Sequence, residues 1–179
     1  MKKSSAFRKV TGFLFVSAAG TFLHFLYDLT GKSTAAALVS AVNESIWEHI
    51  KLVFYPMLLY SVAERHLTEE QTPSFRCIKL TGILLAMVCI PVVYYTYTGM
   101  FGISADWFNV TIFFLAAGAA YYLEYRLENS GCTCRISSGM WFAVLLLIAA
   151  AFTAATFRPP RIPLFRDPLT GSFGIGSAR

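Results

Sequence analysis

Two neighbouring stretches of this chain place chemically capable side chains in an apolar setting. His24 and Asp28 stand near the end of one run. Asn43-Glu44-Ser45-Ile46-Trp47-Glu48-His49-Ile50-Lys51 interrupts the next. Read as one helix advancing 100° per residue, Glu44, Glu48, Lys51 and Tyr55 form a stripe, with Asn43 and Trp47 beside it and His49 further round. The ligand-binding candidates are therefore His24, Asp28, Asn43, Glu44, Glu48, His49 and Lys51.

Imidazole and carboxylate donors of this kind suit zinc, manganese or iron. The metal reading draws on His24, Glu44, Glu48 and His49, and the implied cofactor is a divalent metal that could activate water or a phosphate-bearing lipid. As a sequence motif the set is weak, because Glu48 and His49 are adjacent and point about 100° apart, and no HExxH pattern is present. Two other readings stay open. The carboxylates, histidines and Lys51 could line a proton or cation path in a small transporter, or they could be a buried salt-bridge network that fixes helix packing without catalysis.

What must position these residues is a set of membrane-length helices. The chain has 179 residues, of which 56% are hydrophobic and only 14% charged, against about 25% charged in a soluble domain. Crossing a hydrocarbon layer about 30 Å thick takes roughly 20 apolar residues in a helix. Five segments qualify: 10–29, 35–62, 80–98, 108–123 and 140–157. The expected fold is an all-α polytopic transmembrane bundle of about five helices, followed by a proline- and arginine-rich external segment over 158–179. The second segment is overlong at about 42 Å as a helix, and Pro56 predicts a kink in it.

A net charge of +5 is compatible with nucleic-acid binding, but the basic residues follow topology instead. Lys2, Lys3, Arg8 and Lys9 precede the first segment. Arg65, Arg76 and Lys79 lie between the second and third, and Arg126 and Arg135 between the fourth and fifth. The positive-inside rule then puts the N-terminus in the cytoplasm and the C-terminus outside a cell membrane, although four arginines after Phe157 run against that bias. The expected partner is the lipid bilayer, not nucleic acid. A basic start and Ser17-Ala18-Ala19 resemble a signal peptide, yet the apolar run continues through Leu26, too long for one. Gly31-Lys32-Ser33 lacks the upstream glycine of a phosphate-binding loop.

Other features are local. Ser17, Gly20, Thr21, His24 and Asp28 read as a small, polar packing face on the first helix. Glu64, Arg65, His66, Glu69, Glu70 and Pro73 read as a solvated loop, Asp106 as the cap of the fourth helix, and Ser137 or Ser138 as the cap of the fifth. Cys77, Cys132 and Cys134 fall in predicted cytoplasmic loops, where reduced thiols are expected, and Cys132-x-Cys134 lacks the spacing of common zinc ligands. The tail after Phe157 keeps Ile162, Leu164, Phe165, Leu169, Phe173 and Ile175, too apolar for free disorder, and reads as an irregular lid.

Depth arithmetic ties the two stretches together. With 1.5 Å rise per residue from the cytoplasmic interface, His24 on the first helix and Glu48 and His49 on the second all lie about 21 Å up. Asp28 and Glu44 both lie at about 27 Å, and Lys51 at about 16 Å. Consecutive antiparallel helices are usually neighbours, so the stripes are expected to face each other in the outer half of the bilayer. Unpaired charge there costs at least about 2.5 kcal/mol per residue, so the cluster must be paired, protonated, metal-bound or wet.

The string Asn43-Glu44-Ser45-x-Trp47-Glu48-His49-x-Lys51 is preceded by His24-x-x-Tyr27-Asp28 and followed by Pro159-Pro160-x-x-Pro163-Leu164-Phe165-x-Asp167-Pro168-x-Thr170-Gly171. Together these resemble an uncharacterised family of small bacterial multi-pass membrane proteins, a domain of unknown function. The resemblance spans nearly the whole chain and implies a bacterial inner-membrane setting. It transfers no catalytic role.

Overall fold

A computed structural model describes residues 5–68 and 73–175. The described residues are helical apart from turns and one isolated bridge: α1 (Ser5–Leu29), α2 (Thr34–Ala37), α3 (Ile46–Thr68), α4 (Pro73–Phe101), α5 (Asp106–Asn129) and α6 (Ser138–Phe157), then a 3₁₀ turn at Pro163–Phe165. Helices α1, α3, α4 and α5 each pack on two neighbours to close a four-helix ring, and α6 lies outside it against α3 and α4. Val16, Val53, Phe54, Met57, Ile83, Ala86, Ala116 and Ala117 fill the ring. Apolar surface also faces outward: Leu146 and Leu147 of α6 are 72% and 70% exposed, as suits contact with lipid. By length and composition α1, Ser74–Phe101 of α4 and α6 could cross a membrane. Helices α3 and α5 are as long but carry more charge.

The expected single helix over 35–62 is replaced by a break. After α2 the chain turns, and α3 begins only at Ile46. The cause is local: the Ser45 hydroxyl accepts the Glu48 backbone N–H at 3.4 Å, while Asn43 Oδ1 accepts the Ser45 N–H at 2.9 Å. Glu48 reaches back to accept the Val42 N–H at 3.1 Å. This Ser-x-x-Glu arrangement is close to a capping box, which satisfies the orphan donors of a helix start. The 23 residues of α3 then span about 34 Å, which removes the length problem. Asn43 and Glu44 are therefore loop residues, and the helical stripe that joined Glu44 to Glu48 does not exist.

Helix ends differ elsewhere too. Helix α1 starts before Val10, α4 runs from Pro73 rather than Leu80, and α5 extends to Asn129. Glu64, Arg65 and His66, expected in a solvated loop, belong to α3, whereas Glu69 and Glu70 lie outside the described residues. Ala105, not Asp106, occupies the cap position of α5. Ser137 caps α6 as expected, accepting the Met140 N–H at 3.2 Å.

The charges at hydropathy boundaries close into one network. Lys79 of α4 binds Glu64 of α3 and, at 2.5 Å, Glu124 of α5. Lys9 of α1 binds Glu64 at 3.2 Å, Glu124 at 3.1 Å and also Glu128. Arg8 adds Glu64 at 3.0 Å and Glu128 at 3.2 Å. Three cations thus meet three carboxylates, and Lys9, Glu64, Lys79 and Glu124 are all buried. One layer ties together all four ring helices. At the same end Cys77 and Cys134 are joined by a disulfide with Cα atoms 6.0 Å apart, correcting the expectation of reduced thiols for this pair.

Of the expected face Ser17, Gly20, Thr21, His24 and Asp28, only Gly20 is buried; it packs with Gly12 and Val16, while Thr21 and Asp28 are exposed. Pro56 has no N–H to donate to the Leu52 carbonyl one turn earlier. Gly20 lies against that carbonyl, where a Cβ would stand 2.7 Å from it and 2.5 Å from Phe113. Gly20→Ala is expected to destabilise by about 1–3 kcal/mol through overpacking. Gly99→Ala in α4, where a Cβ meets nothing within 4 Å, should be neutral or stabilising by up to about 1 kcal/mol. Thermal melts in detergent check both, and equal effects would refute the close approach of α1 to α3.

Candidate functional site

The break before α3 divides the sequence candidates into two groups. Glu48 and Lys51 turn inward from the first turns of α3 and are 1% and 0% exposed. Their Oε2 and Nζ lie 2.5 Å apart. Lys51 also donates to the Ala37 carbonyl at 3.0 Å and to the Thr156 hydroxyl at 2.9 Å, and that hydroxyl donates to Glu48 Oε1 at 3.0 Å. With the Val42 N–H on its second oxygen, the Glu48 carboxylate is fully engaged. A buried pair is tolerated only when its remaining donors and acceptors are met in this way. The oxygens of Glu48 are thus engaged within this lock, and Glu48 is not among the three residues that converge as the second group.

Thr156 went unremarked in the sequence because a lone threonine in an apolar helix ordinarily bonds its own backbone. Its neighbourhood extends the lock. Ile175 donates its N–H to the Thr156 carbonyl at 3.1 Å, and the Asn43 side chain donates to the Gly174 carbonyl at 3.1 Å. Phe165 is buried against Trp47, with ring centroids 4.8 Å apart. Asp167, also buried, accepts the Leu169 N–H at 2.8 Å and the Thr170 hydroxyl at 2.8 Å. Residues 158–175 thus fold back over the start of α3 and the loop before it.

His24, Glu44 and His49 form the second group, one residue each from α1, the loop and α3. His24 Nε2 lies 3.7 Å from Glu44 Oε1, and His49 Nε2 lies 3.4 Å from Glu44 Oε2. The imidazole centroids are 5.5 Å apart. One ligand atom from each residue lies within 4.8 Å of the other two. Bonds of about 2.0–2.2 Å at tetrahedral angles separate ligand atoms by about 3.3 Å, so modest closure completes such a shell. His49 Nδ1 stands 2.9 Å from the Ser45 carbonyl, and donating there leaves Nε2 as the ligand atom. While no metal is bound, a doubly protonated His49 donates from Nε2 to Glu44 and holds that carboxyl below its usual range, against the opposing effect of burial; a metal on Nε2 would take the place of that proton. All three side chains are 28–41% exposed, so solvent or a ligand reaches them. Asp28 is exposed and outside this triad, and Asn43 serves the tail.

The match to known families is decided by coverage: the model of the family of unknown function DUF6512 matches residues 3–175. The chain belongs to that family. No curated protein and no solved structure matches it. The DUF6512 match therefore spans both groups of residues and the folded tail, and it assigns no chemistry to any of them.

Two substitutions rank the parts of the lock. Lys51→Met leaves the Glu48 carboxylate buried without its cation and should cost about 3–5 kcal/mol. Thr156→Val removes one acceptor and one donor but keeps the ion pair, and should cost about 1–3 kcal/mol. Denaturation of the purified variants gives the order. Equal stability of Lys51→Met and wild type would show that the pair is not closed off from water.

Proposed function

We propose that this protein is a multi-pass integral membrane protein that binds a divalent transition metal through His24, Glu44 and His49. Three helices long and apolar enough to cross support the membrane setting. Because α3 and α5 complete one ring with α1 and α4, and turn Glu48, Lys51, Glu64 and Glu124 inward as paired charges, five crossings are the consistent reading. The basic residues near the N-terminus then lie in the cytoplasm, and the triad and folded tail lie in or above the outer half of the bilayer. A bacterial inner membrane is the setting that the sequence resemblance implies.

The observation that carries the metal reading is the convergence of two imidazole nitrogens and one carboxylate from three separate chain segments. Nitrogen and oxygen donors of this kind suit zinc, manganese or iron. Three protein ligands leave a position for water or a substrate oxygen, the arrangement of catalytic rather than closed structural sites. A metal there would act as a Lewis acid and lower the pKa of bound water. Glu48, Lys51 and Thr156 serve as support, holding the start of α3 and hence His49. The carrier alternative finds less support, since Val53, Phe54, Met57, Ile83 and Ala117 pack an apolar layer between the two polar ends.

Metal analysis of protein purified in detergent tests the proposal. We expect about one zinc, manganese or iron per chain, with His24→Ala and His49→Ala each weakening binding by at least about 100-fold, since loss of even an outer-shell partner costs about 10–100-fold. Asp28→Asn should bind as wild type does. Wild-type protein that takes up no stoichiometric divalent metal on titration refutes the assignment.

A further inference from the structure

At the opposite end of the bundle a disulfide and a free thiol stand two residues apart in sequence, beside a surface cavity. Cys77 in the second turn of α4 is bonded to Cys134 in the loop between α5 and α6, and Cys132, two residues before Cys134, keeps its thiol. Cys134 is exposed, Cys132 is half-buried, and Cys77 is 9% exposed. A surface cavity of about 280 Å³ is lined by Cys132 and Glu128 together with Ser74, Phe75 and Ile78 from the first turns of α4, the helix that carries Cys77. Arg8 also lines it, while Arg76 and Arg135 adjoin the two bonded cysteines in sequence.

We propose that Cys77, Cys132 and Cys134 form a thiol–disulfide exchange site for a dithiol substrate. Under the topology proposed above, on which this inference rests, the bond lies on the cytoplasmic side. Disulfides that form in a reducing compartment are usually transient, and catalytic or redox-sensing rather than structural. The access is ordered for exchange, with the exposed Cys134 sulfur open to attack and the buried Cys77 sulfur placed to leave. A substrate thiolate attacks Cys134 Sγ, the Cys77–Cys134 bond breaks, and Cys77 departs as a thiolate that takes a proton. The second substrate thiol, losing its proton, then attacks the substrate sulfur of the mixed disulfide and releases Cys134 as a thiolate. The substrate dithiol is oxidised to a disulfide by two electrons, and the protein disulfide is reduced to two thiols. Cys132 supplies an escape from a stalled adduct: its thiolate attacks Cys134 Sγ and expels the bound substrate thiol.

The test uses full-length protein in nanodiscs, equilibrated with glutathione buffers of rising reduced-to-oxidised ratio, with thiols trapped by a maleimide that adds mass. We expect Cys77 and Cys134 to pass together through half reduction within the ratios that cytosolic glutathione spans. In Cys77→Ser, which removes the competing thiol, Cys132 should clear a glutathione adduct at Cys134, and the adduct should persist once Cys132→Ser is added. The proposal is overturned by a bond that stays fully oxidised across the series, or by three thiols that stay reduced in oxidised glutathione. Labelling of Cys132 by an impermeant maleimide from outside intact cells would also overturn it, by moving the bond to an oxidising compartment. The redox series uses wild-type protein, so it stands even if a cysteine variant misfolds. Metal loading of His24, Glu44 and His49 is read independently, so failure of either assignment is distinguishable from failure of the other.

Discussion

A carboxylate and an ammonium group closed off from water hold the arrangement of this protein's first half. Glu48 and Lys51, 2.5 Å apart at the start of α3, would each be costly to bury alone. Together they engage the Ala37 carbonyl of α2, the Val42 N–H of the connecting loop and the Thr156 hydroxyl at the end of α6. One ion pair therefore fixes where the loop leaves α2, where α3 begins and where α6 ends against them. Because His49 sits beside Glu48 on the same turn, its ring direction follows from the same constraint. The charged layer formed by Lys9, Glu64, Lys79 and Glu124 does the equivalent work at the other end, with different helices.

The parts of this design that were legible in the sequence are those governed by a constant repeat. Helical rise is uniform, so counting residues from the apolar boundaries placed His24 and His49 at one level, and their rings do lie 5.5 Å apart. Charge depletion and long uncharged runs pointed to the all-α class, but helix ends were less legible: α1, α4 and α5 run past the apolar segments 10–29, 80–98 and 108–123 into polar residues, and only α6 matches its segment closely. What counting missed were places where a side chain overrides the repeat. Ser45 and Glu48 carry the spacing of a capping box, a readable sign that a helix starts there; the apolar run through Ala35 to Val42 masked it. Glu44 consequently reaches the histidines from a loop rather than from a stripe.

The charged layer was hidden for a different reason. Lys9, Glu64, Lys79 and Glu124 each stand at the edge of an apolar run, where charge is ordinarily assigned to a solvated loop. Only tertiary packing brings them together, across sequence separations of 15 to 115 residues. Gly82 is part of the same economy of space: a Cβ there would lie 2.6 Å from Glu124 Oε1, so the carboxylate occupies room that only a glycine leaves. The disulfide between Cys77 and Cys134 was equally out of reach, since four cysteines allow several pairings and spacing alone does not choose among them.

The break before α3 has one more consequence. Two of the triad's donors ride on long, packed helices, while the third hangs from a segment whose own anchors are Asn43 and Ser45. Such a centre resembles a vice with two stiff jaws and one hinged arm. In the metal site proposed above, ions of unequal radius would be met by a pivot of the carboxylate alone, with the bundle beneath left in place.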